Sequence, residues 1–202
     1  MLKRTHLDTI NKLIKKNSNW KILDIGCGYS ANENATIIAD TQDLTFFYKD
    51  KNFIHLKEKK LPFRDNEFDF VIASHVLEHV EDVNFFILEL QRITKQGYIE
   101  LPTKLEDNLV FENKNDHIWS MTYNDEKNVL LISKRNQIIE PLLTVSSIKY
   151  FNKYFRDSLV IEIFWEKEIN YEIVDDKEKL LKISRIKLLK KFFSKSIRNI
   201  FK

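Results

Sequence analysis

Residues Trp20 to Ser30 read W-K-I-L-D-I-G-C-G-Y-S. An apolar run (Ile22, Leu23, Ile25) carries one carboxylate, Asp24, and ends at two glycines, Gly26 and Gly28. The whole chain has only 3 glycines. Glycine lets the backbone turn sharply and approach a ligand closely, so a chain this poor in it keeps it where other residues do not fit. The stretch reads as a buried strand ending in a ligand-binding turn.

Working outward, Leu7, Ile10, Leu13 and Ile14 recur at helical spacing and predict an amphipathic helix over 5–16. On the other side, 35–40 (A-T-I-I-A-D) is a second apolar run ending in a carboxylate, Asp40, and 53–56 is a weak third strand. The nearly all-apolar 68–73 (F-D-F-V-I-A) suits a strand covered on both faces. Val83, Phe86, Ile87, Leu90 and Ile93 then mark one helical face, with Glu81 and Asp82 at its start, Arg92 and Lys95 near its end and Gly97 just beyond. Residues 98–101 form another strand, stopped by Pro102. This alternation predicts an α/β fold with a mostly parallel sheet and helices on both faces. Such sheets bind ligands at the carboxyl ends of their strands: here Asp24, Gly26 and Gly28, then Asp40, then Ser74 and His75, then Pro102 and Thr103.

After Thr103 the alternation stops. Residues 104–115 read as a loop, 117–123 and 129–133 as a hairpin, 141–155 as mostly helical, and 159–165 with 169–174 as a second strand pair. The expected organisation is one domain over 1–176, with a ligand-binding half at 20–103 and a divergent region at 104–176, followed by a basic amphipathic helix over 177–202.

The 202 residues, 43% apolar and 31% charged, suit one soluble domain. A single cysteine, Cys27, excludes an intrachain disulfide framework and points to a reducing, cytoplasmic setting. The first residues are followed by polar sequence rather than a signal-peptide core, and no apolar run approaches the ~20 residues of a membrane span. From Lys179 to Lys202 there are nine Lys/Arg and no acid, so a net charge of +3 leaves −6 for the rest.

Together these segments resemble the class I S-adenosylmethionine-dependent methyltransferases, of the type 11 kind, over about 20–103. I-L-D-I-G-C-G resembles their first motif, Asp40 their second-strand acid, L-P-F-R-D-N-E-F-D-F-V-I-A-S-H-V-L-E-H-V the segment around their fourth strand, and G-Y-I-E-L-P their fifth. The resemblance implies S-adenosylmethionine as cofactor. Asp24 would position its amino-acid end, Gly26, Cys27 and Gly28 would pass close to it, and Asp40 would accept from both ribose hydroxyls. Ser74 at the fourth strand end and Leu61 complete the expected cofactor contacts. Glu58, or backbone near Lys60 and Leu61, would serve the adenine. Strand-end turn capping is the plainer role for both aspartates.

G-C-G-Y-S-A also fits the dinucleotide fingerprint, which makes a nicotinamide-dependent oxidoreductase the rival. Against it, Tyr29–Asn34 is too short for the helix that faces a pyrophosphate, and the acid comes 14 positions after Gly26 rather than ~20. The same shortness departs from the usual methyltransferase crossover of about a dozen residues and predicts an abbreviated helix or a loop.

A hydroxyl or ammonium acceptor must lose a proton, which favours a histidine or carboxylate. His75 and His79 are i and i+4 after the fourth strand, with Glu78 between them. His75 is the first candidate for base or substrate positioner. His79 serves there or as a structural hydrogen-bonding residue, and His117 either folds over the pocket or lies on a surface loop. The glutamate is misplaced for H-E-x-x-H and no third ligand is evident, so no metal is assigned. Ser74-His75-Val76-Leu77 lacks the Asn/Asp-Pro-Pro-aromatic motif of base-amino methyltransferases, and Cys27 is not placed as the nucleophile of cytosine C5 enzymes. The expected acceptor is therefore a small molecule, a sugar or glycan, or a lipid-linked molecule. Nucleic acid is disfavoured by the acidic body. The basic helix over 183–202 would touch an anionic membrane or pack on the domain. A non-catalytic binding or membrane-associated module with the same fold is the alternative from another class.

Overall fold

The computed structural model describes residues 1–175 and 182–200, with side chains to 196. The expected boundary at 176/177 lies outside the described residues. In chain order the elements are β1 (Leu2–Arg4), α1 (Leu7–Lys16), β2 (Ile22–Ile25), β3 (Ile37–Asp40), β4 (Phe53–His55), β5 (Phe70–Ser74), α2 (Val83–Ile93), β6 (Gln96–Pro102), α3 (Lys104–Leu109), α4 (Asn113–Asp116), β7 (Trp119–Asn124), β8 (Val129–Lys134), α5 (Val145–Leu159), β9 (Val160–Glu166), β10 (Tyr171–Ile173) and α6 (Arg185–Ile200).

A seven-stranded sheet has the order β1-β9-β6-β5-β2-β3-β4. β4, β3, β2, β5 and β6 run parallel, while β9 is antiparallel to both β6 and β1. The strands sort their side chains by period two. Ile22, Phe70, Ile72 and Tyr98 face Ile10 and Ile14 of α1. Leu23, Ile25, Val71, Ala73, Ile99 and Leu101 face Ile87, Leu90 and Ile93 of α2. On that second face the core also takes in Trp119, Met121, Leu130 and Ile132 of a small sheet ordered β10-β8-β7. Asp24, Ser74 and Glu100 continue the α1-facing parity to the strand ends, where the layer gives way to a cavity.

The parallel sheet, the α2 face and the β7–β8 hairpin match expectation. Residues 26–36 carry no helix, so the crossover is a loop, one of the two expected forms. Three features differ. Residues 104–109 and 113–116 are helical, the first capped by Thr103, whose hydroxyl accepts the Glu106 N–H. The strands at 160–166 and 171–173 do not pair with each other: β9, buried along almost its whole length, inserts between β1 and β6, and β10 joins β8 in parallel. Gly97 does not close α2. It lies inside β6, where a Cβ would stand 2.5 Å from the Val71 carbonyl oxygen and 2.7 Å from Trp165 Nε1.

Candidate functional site

The turn after β2 is built on positive backbone angles, φ +69° at Gly26 and +47° at Gly28. A Cβ on Gly26 would meet Val76 Cγ2 at 2.4 Å, whereas nothing lies within 4 Å of the Cβ direction of Gly28. Gly26 is thus packed and Gly28 opens to space. Asp40 ties the end of β3 to this turn: Oδ2 accepts the Gly28 N–H at 2.8 Å and Oδ1 the Gln42 N–H at 2.8 Å. Asp24 Oδ2 accepts the Asn32 N–H at 2.7 Å. Both aspartates therefore cap loops, and an ionised carboxylate with about four acceptor positions has capacity left for a ligand. Burial raises the Asp24 pKa from 3.8 to about 6, against the opposing Asn32 N–H. Burial also pushes the Cys27 thiol up to about 12, with the nearby aspartates adding to it, so this is an unreactive thiol.

Asp24, Gly26, Cys27, Ser30, Asn32, Ser74, His75 and Glu100 line a cavity of about 290 Å³. Its floor is fixed by a buried polar row. Ser74 Oγ donates to Glu100 Oε1 at 2.9 Å, and the Tyr98 hydroxyl lies 2.6 Å from Glu100 Oε2 and 2.7 Å from Glu162 Oε1. Arg156 reaches both glutamates. Burial opposes charge on Glu100, but His75, Tyr98 and Arg156 outweigh it and hold its pKa at about 2.

His75 stands at φ +54° immediately after β5, with Nδ1 3.2 Å from Glu78 Oε1 and Nε2 3.4 Å from Glu100 Oε1. Burial disfavours its cation, but the Glu100 and Glu78 carboxylates raise its pKa from 6.5 to about 10. A carboxylate faces each ring nitrogen, an arrangement that suits the positioning role expected of His75 better than that of a base. Glu100 opposite the ring was not among the residues expected there.

His75 also lines a second cavity, of about 330 Å³, with His79, Glu106, Asp116, His117 and Asn152 among its walls. The structure thus brings all three candidate histidines to one space. His117 is buried rather than on a surface loop, its Nδ1 2.8 Å from Asp107 Oδ1, and its ring meets that of His79 edge-on at 4.6 Å. Arg135 Nε donates to the same Asp107 oxygen at 2.9 Å. Glu106 Oε2 and Asn152 Oδ1 are buried without a hydrogen-bond partner among the described residues, and burial raises the Glu106 pKa. Glu78, His79 and His117 place potential ligand atoms within 4.8 Å of one another. Sequence reasoning missed Glu100, Glu106 and Asn152. The α3 carboxylate sat in what looked like a polar loop, and a Thr-x-x-Glu start at Thr103 was the available signal.

A third cavity, of about 360 Å³, has Thr41, Leu56, Glu58, Leu61 and Phe86 in its wall. The Leu61 N–H donates to Glu89 at 2.8 Å and its carbonyl accepts from Arg92 at 3.1 Å, so its N–H is engaged and its carbonyl keeps one acceptor position.

A parallel sheet with an acid-bearing glycine turn, a carboxylate at the end of the next strand and no helix in the first crossover is the arrangement that the resemblance to class I methyltransferases implies. Residues 23–99, less than half of the chain, match the family described as methyltransferase domain. The chain is 35% identical over 116 residues to the uncharacterised protein MJ0638 of Methanocaldococcus jannaschii, covering 52% of this chain and 51% of that one. The chain therefore spans about half the length of the curated relative it matches. Among solved structures it is similar to the YcgJ protein of Bacillus subtilis, 14% identical over 81% of this chain and 99% of that one, TM-score 0.49. It is also similar to the PH0226 protein of Pyrococcus horikoshii, 15% identical over 79% and 88%, TM-score 0.45.

Proposed function

We propose that the chain transfers a methyl group from S-adenosylmethionine to a polar acceptor held in the histidine-lined cavity. The observation that carries this is His75, whose ring forms a wall common to the two cavities. The residues fit the cofactor. Asp24 is a buried acceptor for an ammonium or its bridging water, Asp40 keeps acceptor positions for a ribose diol, and Gly28 leaves backbone open to a ligand. When bound, the cofactor supplies a methyl group on a sulfonium.

On the acceptor side, Glu106 is the proton acceptor, a buried carboxylate with one unpartnered oxygen and a raised pKa. His75, held between Glu78 and Glu100, forms the wall that orients the acceptor, and Asn152 adds a polar contact. Much of the rate comes from holding the two reactants in line. The polar lining supports a hydroxyl-bearing small molecule, glycan or lipid-linked sugar. The exposed apolar residues of α6 amid lysines support the lipid-linked case, a peripheral contact with a membrane surface. No helix among the described residues is long and apolar enough to cross one.

Calorimetric titration with S-adenosylhomocysteine, with NAD as control, tests the cofactor: one-to-one binding of the former alone is expected. Radiolabelled methyl transfer to an acceptor panel then tests turnover. Glu106→Gln is expected to lower kcat ~10²-fold or more, and His75→Ala to raise the acceptor KM. Cofactor binding without turnover on any acceptor supports the non-catalytic module instead.

A further inference from the structure

We propose that Glu78, His79 and His117 form a binding site for a first-row divalent cation in the wall of the acceptor cavity. The three ligand atoms already lie within 4.8 Å of one another. An ion with bonds of ~2.1 Å holds its ligands ~3–3.5 Å apart, so side-chain rotation of about an ångström closes the set.

The surroundings are those of ligating side chains. Each imidazole has its Nδ1 engaged: His79 with the Asp116 carbonyl at 3.0 Å, His117 with Asp107 Oδ1 at 2.8 Å. Both rings are thereby fixed with Nε2 as the remaining donor atom, and an imidazole backed by a carbonyl or carboxylate is a stronger ligand. Asp107 is itself pinned by Arg135 and by the Ser120 hydroxyl at 3.2 Å.

Glu78 supplies the independent observation. Its side chain is 1% exposed, and neither carboxylate oxygen has a hydrogen-bond partner among the described residues. Its contact with His75 Nδ1 at 3.2 Å lacks hydrogen-bond geometry. A buried carboxylate without hydrogen bonds is costly; His75 beside it balances charge without bonding it, and a metal ion toward the His79 and His117 rings supplies the missing bonds. The backbone holds the third ligand in register, because the Glu78 carbonyl accepts from the N–H groups of Ile118 and Trp119 at 2.7 and 3.2 Å. That pairing brings His117 beside His79 across 38 residues of sequence, which is why adjacent Glu78-His79 showed no third ligand.

Two imidazole nitrogens and one carboxylate oxygen suit Mn²⁺, Fe²⁺, Co²⁺ or Zn²⁺ rather than the all-oxygen preference of Ca²⁺. Three protein ligands leave coordination positions open, and two of the three, His79 and His117, line the cavity together with Glu106 and Asn152, with Glu78 buried behind them. An acceptor hydroxyl in such a position loses its proton more readily. That consequence rests on the methyl-transfer reading; cation binding does not.

The test uses the full chain, stripped with a chelator and without cofactor. It is titrated with Co²⁺ by visible absorption, and with Mn²⁺ and Zn²⁺ by calorimetry. One equivalent per chain is expected. His79→Ala removes an exposed side chain, so the fold should survive, and the affinity should fall ~100-fold or more. Glu78→Gln and His117→Ala should act alike, and Asp107→Asn should weaken binding ~10–100-fold. His6→Ala should bind as the unaltered chain does. A cooperatively melting chain that takes up no cation, or binding that His79→Ala leaves unchanged, overturns the proposal. S-adenosylhomocysteine titrated into the same samples separates the two readings. Its binding without metal uptake removes the cation site alone, and metal uptake without its binding removes the cofactor assignment alone.

Discussion

Asp40 Oδ2 accepts the Gly28 N–H at 2.8 Å, so the carboxylate expected to meet the ribose also sets the glycine turn. Its other oxygen holds the Gln42 N–H. Asp40→Ala thus removes a ligand contact and two loop bonds together. Each bond contributes ~1 kcal/mol, so thermal denaturation should show a loss of ~1–3 kcal/mol. Affinity for S-adenosylhomocysteine, read by calorimetry, should fall by more than ~30-fold, since a charge-assisted bidentate contact is worth ~2–3 kcal/mol. Destabilisation with undiminished affinity would reduce Asp40 to a turn cap.

Asp24 gives a pH dependence with a definite sign. Its folded pKa is raised, from 3.8 to about 6. Between those values the folded state binds the proton more tightly than the unfolded one, so this group's contribution makes the protein less stable as pH rises from ~4 to ~6, and the cost is complete above ~6. Asp24→Asn should therefore raise the melting temperature at pH 7 without ligand, removing an unfavourable term of ~2–3 kcal/mol. The ligand's ammonium needs the ionised form, so S-adenosylhomocysteine binding by the unaltered chain should weaken as pH falls through 6. A flat affinity from pH 5 to 8 would separate Asp24 from the ligand.

Gly97 is a packing glycine. A methyl group there meets the Val71 carbonyl at 2.5 Å on the adjacent strand and the Trp165 indole nitrogen at 2.7 Å. Neither can yield cheaply, because Trp165 is fully buried and Val71 is in ladder register with Gly97. Gly97→Ala should cost ~2–3 kcal/mol, a drop of ~4–12 °C in melting temperature for a chain of this size. Gly28→Ala has free space around it and should be milder in packing, paying only for its positive φ.

The cofactor half was legible because its signals are local. The run into Gly26, the acid ending β3 and the period of Val83, Phe86, Ile87 and Leu90 each lie within one element. The acceptor half was not, because its geometry is made by long-range pairing. His117 meets His79 through backbone bonds from Ile118 and Trp119 to Glu78. Glu100 faces His75 because β6 lies beside β5. Strand β9 reads as half of a hairpin until its burial on both faces is known. The single turn of sequence that reveals Glu106 as helical, Thr103 to Glu106, is overwhelmed by the polar residues after it.

Membrane contact by the basic helix would favour the lipid-linked acceptor proposed above, and its absence the soluble ones. The start of the helix is tied down: the Arg185 N–H donates to Glu140 Oε2 at 2.8 Å, and Ile183 bridges to Ile139. Beyond that tether Ile186, Leu189, Phe192 and Phe193 are 45–64% exposed, so the apolar side is not packed on the domain over these residues. Arg185, Lys187, Lys190, Lys191 and Lys195 accompany it. A basic residue near an anionic leaflet is worth ~1 kcal/mol, and the attraction is screened by salt. The full chain should therefore co-sediment with vesicles containing phosphatidylserine, less so with neutral vesicles and less so at high salt. A double substitution, Phe192→Asp with Phe193→Asp, should abolish sedimentation while leaving S-adenosylhomocysteine affinity unchanged. If the unaltered chain stays in the supernatant at low salt, the membrane contact is withdrawn, and the acceptor screen narrows to soluble small molecules and glycans.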